Sequence, residues 1–151
     1  MDTIDELKAK LEKNSRLLGL DLGSKRIGVS ICDDKRKIAT PFKTIHYSST
    51  KILIEELTSI VHENQISGII VGNPINMDGT YGSSAQSIND KSKIIKKALN
   101  IYTCLWDERL STAGAFNISS QLDIKFTEKK KKIDENAATF ILQGALDYLN
   151  N

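Results

Sequence analysis

The sequence predicts an α/β fold in which a mixed five-stranded sheet, a three-strand antiparallel meander plus two parallel strands, is flanked by helices. Three observations carry this expectation. Two short apolar runs, from Leu17 to Leu22 and from Ile27 to Cys32, are separated by Gly23, Ser24 and Lys25, the pattern of a hairpin closed by a glycine-containing turn. Within Ile66 to Gly72, Ile69, Ile70 and Val71 form an unbroken row, as in a central strand covered on both faces. A helical apolar period precedes this strand, and a helix joining two buried strands implies a parallel crossover.

In order, Thr3 and Glu6 have the spacing of a capping box, followed by Ile4, Leu7 and Leu11 on one helical face. Residues 1–15 therefore read as an amphipathic N-terminal extension packing on the edge of a single domain, residues 16–151. After the hairpin, Asp33 to Lys37 is a charged turn, and Ile38 to Pro41 supplies a third strand that Pro41 ends early or confines to an edge. From Ser49, Ile52, Leu53, Leu57, Ile60 and Val61 fall at helical spacing, with Asn64 placed to end the helix. Gly72 to Gly82 is rich in Gly, Pro, Asn and Asp and reads as a loop throughout. A helix with Ala85, Ile88, Ile95 and Leu99 on its buried face follows, then a strand from Ile101 to Trp106 ending in Asp107-Glu108-Arg109. Ser111 can cap a helix containing Ala113, Ala115 and Phe116. Asp123 to Lys132 reads as a basic loop, and a last helix places Ala138, Ile141, Ala145 and Leu149 on one stripe, with Asp134 in its first turn on that same stripe.

At 151 residues the chain has the length of one domain that can close a core without disulfides or structural metals. A net charge of +2 means that any basic footprint is local. Cys32 and Cys104 sit in apolar contexts without metal-ligand spacing and read as reduced core thiols, while His46 and His62 read as surface residues. No apolar run approaches the roughly 18 residues of a membrane helix, and the acidic start lacks the regions of a signal peptide. The expectation is a soluble, cytoplasmic protein.

Asp21 interrupts a buried strand, and a carboxylate there is costly unless a cation meets it. Glu108 follows the last strand and Asp134 opens the final helix, so the three acids can meet at one end of the sheet if the first and last strands lie close. Two carboxylates about 4 Å apart repel by roughly 4 kcal/mol at an effective dielectric near 20, so such a cluster implies raised pKa values or a bound cation. Oxygen-only ligands favour Mg²⁺ or Mn²⁺ over zinc, and a pair of these ions can activate a water and stabilise the leaving oxygen in phosphodiester hydrolysis.

Four segments, Gly19 to Val29, Val71 to Thr80, Asp107 to Thr112 and Ile133 to Ala138, resemble the four motifs of the YqgF or RuvX family, Holliday junction resolvase-like proteins and pre-16S rRNA nucleases. The resemblance spans about Leu17 to Leu149. It implies a ribonuclease H-like fold and a metal-dependent nuclease, with Asp21, Glu108 and Asp134 as both catalytic carboxylates and ligands of Mg²⁺ or Mn²⁺. It further implies trimming of the 5′ end of pre-16S rRNA, with Holliday junction resolution as the older proposal. The assembling small ribosomal subunit is a candidate partner, and with no interface pattern in the sequence the expectation is a monomer or weak homodimer. Asn73 departs from the pattern, which usually has an apolar residue there, and this bears on loop shape or substrate fit.

Lys25 and Arg26, in the turn beside Asp21, are placed to meet a phosphate, whereas Arg109 can contact nucleic acid or orient Glu108. Lys125 and the run Lys129, Lys130, Lys131 and Lys132 can guide a strand toward Asp134, or form a solvated face; contact with single-stranded RNA would cost about 0.7 log units of affinity per contact per tenfold rise in salt. Three rival readings remain. One is a resolvase-like nuclease acting on DNA junctions. Another is a non-catalytic RNA-binding factor in ribosome assembly or transcription. The third rests on the Asp21-Leu22-Gly23 hairpin, which also resembles the first phosphate loop of actin-like and sugar-kinase ATPases, but those pair two such domains and this chain has room for one.

Overall fold

The computed structural model describes residues 1–73, 83–107 and 126–151, with side chains described in the second and third segments from residues 86 and 136 onward. The strands are β1 (Arg16–Leu22), β2 (Arg26–Cys32), β3 (Ala39–His46), β4 (Ile66–Asn73) and β5 (Tyr102–Asp107), and the helices are α1 (Ile4–Lys10), α2 (Thr50–Asn64), α3 (Ser83–Leu99) and α4 (Phe126–Leu149). The sheet order is β3-β2-β1-β4-β5. β1, β2 and β3 pair antiparallel, and β4 and β5 run parallel to β1, so the expected meander plus two parallel strands is what forms.

Strand alternation divides the core into two layers. Leu18, Leu20, Val29, Ile45, Ile69 and Val71 face α2 and α3, meeting Leu53, Leu57 and Ile95. Leu17, Cys32, Ile70 and Cys104 face the other way, under Ile141, Leu142, Ala145 and Leu146 of α4. Each fully buried Leu or Ile contributes about 1.5–3 kcal/mol, and the central strand β1 supplies Leu residues to both layers. Burial raises both thiols, Cys104 to about 12 with help from the nearby carboxylates of Asp2 and Glu6, so Cys32 and Cys104 are free, protonated core groups at neutral pH.

The N-terminal helix is capped reciprocally by Thr3 and Glu6, and Leu7 is fully buried against the sheet. Asp2 ties this helix to the edge strand by accepting from Thr103 N at 2.9 Å and pairing with Lys96. Burial alone would raise the Asp2 pKa, but these donors outweigh it and the net shift is downward. Ser49 caps α2, whose end at Asn64 is followed by Gln65 in the left-handed region. No helix among the described residues is long and apolar enough to cross a membrane.

Three boundaries differ from the sequence reading. β3 does not stop at Pro41 but continues to His46; the register shifts between Val29 and Ser30, leaving Phe42 as an extra residue beside Pro41 on the outer edge, where a missing N–H is tolerated. β4 includes Asn73, which pairs with Asp107 instead of opening the loop. The helix α4 starts at Phe126, so Lys129 to Lys132 lie in a helix and not in a loop, and Asp134 lies well inside it rather than in its first turn. The segment from Thr127 to Lys132 holds no Gly or Pro, and Glu and Lys are good helix formers. A macrodipole acts only within the first turn, so it gives no account of Asp134.

Candidate active site at the carboxyl ends of the central strands

Asp21, half-buried, is the sixth residue of β1 and pairs with Gly28 of β2. By alternation it shares the sheet face of Leu17 and Gly19, the face covered by α4. At Gly19 the helix comes exceptionally close. A Cβ added there would lie 2.7 Å from Leu142 Cβ and 2.8 Å from the Ala138 carbonyl oxygen, and the Ser30 hydroxyl donates to that same carbonyl at 2.8 Å. Toward its carboxyl end α4 is tied to the β2–β3 turn: Gln143 accepts from Ala39 N at 2.8 Å and donates to the Lys37 carbonyl at 3.0 Å, and Asn150 donates to the Arg36 carbonyl at 2.8 Å. The helix thus runs antiparallel to β1. Its backbone at Asp134 is one turn, about 6 Å, beyond Ala138, in the direction in which Asp21 lies about 6.6 Å beyond Gly19.

β5 ends at Asp107 on the same edge of the sheet, level with Asn73 of β4, the strand between β1 and β5. Glu108 is the next residue. Glu108, Arg109, Lys125 and the expected helix after Ser111 lie outside the described residues, as do the side chains of Asp134 and of Lys129 to Lys132. Among the described residues no group of three His, Cys, Asp or Glu side chains gathers.

Lys25 and Arg26 are exposed at the β1–β2 turn, as expected beside Asp21. Sequence reasoning missed what holds that turn. Gly23 N donates to the Arg26 carbonyl at 2.9 Å, and a Cβ on Gly23 would lie 2.5 Å from that oxygen, so the close approach requires glycine. Tyr47, just past β3, donates its hydroxyl to the Gly23 carbonyl at 2.8 Å and its N–H to the Lys25 carbonyl at 3.2 Å. Lys91 of α3 donates to both the Gly23 carbonyl, at 3.3 Å, and the Tyr47 hydroxyl, at 3.1 Å, and its ammonium lies 5.8 Å from the Tyr47 ring centre. No spacing in the chain signals a contact between residues 23, 47 and 91.

Asn73 is 7% exposed, and its Oδ1 is buried with no hydrogen-bond partner among the described residues. An orphaned buried acceptor costs about 1–3 kcal/mol. Asn73→Leu, which replaces the orphaned amide by an apolar side chain of similar size, is expected to stabilise the fold by about 1 kcal/mol, read as a rise of about 2–4 °C in thermal midpoint; an unchanged or lower midpoint would show that Oδ1 is satisfied in solution.

A mixed five-stranded sheet with this order, with a helix laid antiparallel over its first strand, has the ribonuclease H-like fold. The structure superposes on Thermus thermophilus RuvC in complex with a Holliday junction substrate with a TM-score of 0.56 at 8% identity, covering 89% of this chain and 96% of that one. It superposes on the fowlpox virus Holliday junction resolvase with a TM-score of 0.54 at 13% identity, covering 89% and 99%. Likeness at such low identity concerns the fold. The family comes from the sequence: the chain belongs to the RuvX family, described as Holliday junction resolvase, whose model matches residues 15–148. A Pelagibacter ubique protein named "Putative pre-16S rRNA nuclease" is 59% identical over 151 residues, covering 100% of both chains. One of the same name from Rhodobacter capsulatus is 40% identical over 146 residues, covering 97% of this chain and 92% of that one.

Proposed function

We propose that this chain is a Mg²⁺- or Mn²⁺-dependent nuclease that hydrolyses phosphodiester bonds in the 5′-end processing of pre-16S rRNA, in the cytoplasm and on the assembling small ribosomal subunit. The observation that carries the reading is the convergence of Asp21, the end of β5 and the antiparallel helix α4 at one edge of the sheet. A relative 59% identical over the whole of both chains and named "Putative pre-16S rRNA nuclease" supports the substrate class. Glu108, directly after β5, and Asp134, within α4, are the proposed companions of Asp21. This all-oxygen donor set suits Mg²⁺ or Mn²⁺. When bound, such ions supply Lewis acidity that favours an attacking water and offsets charge on the leaving oxygen. Lys25 and Arg26 hold the substrate backbone from the β1–β2 turn. Arg109 and the helical run Lys129 to Lys132 add cations along the approach to Asp134, and residues 1–15 serve as an extension to a nuclease domain formed by 16–151.

The test pairs a labelled pre-16S rRNA 5′ fragment with a four-way DNA junction, each with and without Mg²⁺ or Mn²⁺, beside Glu108→Gln and Asp134→Asn. Metal-dependent cutting of the RNA, lost in both variants, is the expected result. Cutting of the junction alone would make the chain a DNA resolvase. RNA binding by folded protein without cutting, also on assembling subunits, would make it a binding factor.

A further inference from the structure

Register places more than Asp21 on the α4 face at this end of the sheet. The row Asp21, Gly28 and Thr44 is followed, two residues further toward the turn, by the pair Arg26 and His46. Next to that pair the surface is hollow. One depression of about 610 Å³ is lined by Ser24, Lys25, His46, Tyr47 and Ser48, and an adjoining one of about 500 Å³ shares Ser24, Lys25 and His46 and adds Arg26. No carboxylate lines either among the described residues, although the whole chain carries nearly as many acids as bases, 19 against 21. Besides the Tyr47 hydroxyl, which is spent on Gly23, the walls carry the Lys25 ammonium, the His46 imidazole and the hydroxyls of Ser24 and Ser48, a donor set suited to the oxygens of a phosphodiester.

The hollow is also rigidly built. Its two walls, the β1–β2 turn and the segment after β3, are joined by the Tyr47 hydroxyl and N–H to Gly23 and Lys25, and Lys91 braces that joint from α3. A turn fixed from both sides holds the backbones of Lys25 and His46 in a set relation, which lowers the part of the ordering cost of gripping a ligand that comes from the backbone.

We infer that this hollow is a second backbone subsite, in which Lys25 and His46, with the hydroxyls of Ser24 and Ser48, hold an RNA phosphate away from the scissile one. The inference rests on the nuclease reading and adds the path of the strand, from Asp21 across β2 to the end of β3. Two strand spacings of about 4.8 Å and two residues of about 3.3 Å set His46, at the far wall of the hollow, about 12 Å from Asp21. At the duplex rise of about 3.4 Å per stacked nucleotide that is about three to four nucleotides from the cut, and fewer for an extended single strand. Tyr47 and Lys91 act as positioning residues through the turn.

The inference is tested by metal-free binding of a short single-stranded pre-16S RNA in which single linkages are replaced in turn by uncharged methylphosphonates. The proteins compared are the wild type and a Lys25→Ala, His46→Ala double variant. In the wild type, one neutral linkage two to four nucleotides from the cut is expected to weaken binding about tenfold, and the double variant to weaken it similarly with the unmodified RNA. The neutral linkage should then add less than twofold in the variant, whose salt slope falls by about 0.7 for each phosphate no longer neutralised. With metal, the variant's loss of activity should fall more on KM than on kcat. Wild-type affinity in the variant, or a neutral linkage that keeps its full tenfold effect there, would overturn the subsite while leaving metal-dependent cleavage by the wild type, and so the nuclease reading, intact. Wild-type protein that neither binds nor cuts RNA would overturn both.

Discussion

Gly19→Ala is expected to destabilise the protein by about 3 kcal/mol, lowering its thermal midpoint by about 6–12 °C. One methyl group has this effect because of what surrounds it. The new Cβ would meet Ser30 Oγ at 2.4 Å, Leu142 Cβ at 2.7 Å and the Ala138 carbonyl oxygen at 2.8 Å. The hydroxyl can rotate, at the cost of its bond to Ala138. The other two atoms belong to the helix itself, so α4 must shift by several tenths of an ångström. That shift would strain a layer in which Ala138, Ile141, Leu142, Ala145 and Leu146 are all fully buried. Gly68→Ala is the control: its Cβ would meet the Leu7 Cδ1 and Leu17 Cδ2 methyls, at 2.7 and 2.9 Å, which are side-chain ends that can yield. Differential scanning calorimetry of both variants checks the prediction; equal and small losses would mean that the helix is not seated on Gly19. Cleavage is expected to fall more in Gly19→Ala than its folded fraction explains, because the displaced helix carries Asp134.

The contrast between these two glycines marks what was legible in the sequence. Local signals carried the fold: the turn residues between Leu22 and Arg26, the Ile69 to Val71 row and the Ser49 cap each report on their own neighbourhood, and each element formed where expected. Misreadings came where a local rule met a tertiary exception. Pro41 suggested either an early ending or an edge position; the edge is what forms, where the missing N–H faces no partner that needs it, and a bulge lets the strand run on to His46. The lysine run suggested a loop, yet lysine favours helix, and among the described side chains of α4 the buried stripe includes Ala137 and Ala138. At the candidate site, Asp21 stood out because a charge inside an apolar strand conflicts with its surroundings. The grip of Tyr47 and Lys91 on Gly23, and the seat of Ala138 on Ser30, involve partners 24, 68 and 108 positions apart. No periodicity reports such a pairing.

Asp21→Asn is expected to separate catalysis from binding in opposite directions. The substitution keeps the size and shape of the side chain and removes one negative charge at a half-buried position near the carboxyl end of β1. If that charge helps to hold a catalytic cation, its loss removes several kcal/mol of transition-state stabilisation, and cleavage should fall about a thousandfold or more. Without metal the same carboxylate opposes the substrate. At about 6 Å from a phosphate it repels by about 0.7 kcal/mol in water and up to about 3 kcal/mol at an effective dielectric near 20. RNA binding in chelator should therefore tighten severalfold in Asp21→Asn, while added Mg²⁺, which should strengthen binding by the wild type, should do little for the variant. A protein that only held RNA would show the tightening without any cleavage to lose. A carboxylate serving the fold alone would show a lower thermal midpoint and no change in the response of binding to metal. Opposite signs for cutting and metal-free binding, at an unchanged midpoint, are expected only if Asp21 is held against a phosphate backbone in order to gather a cation there.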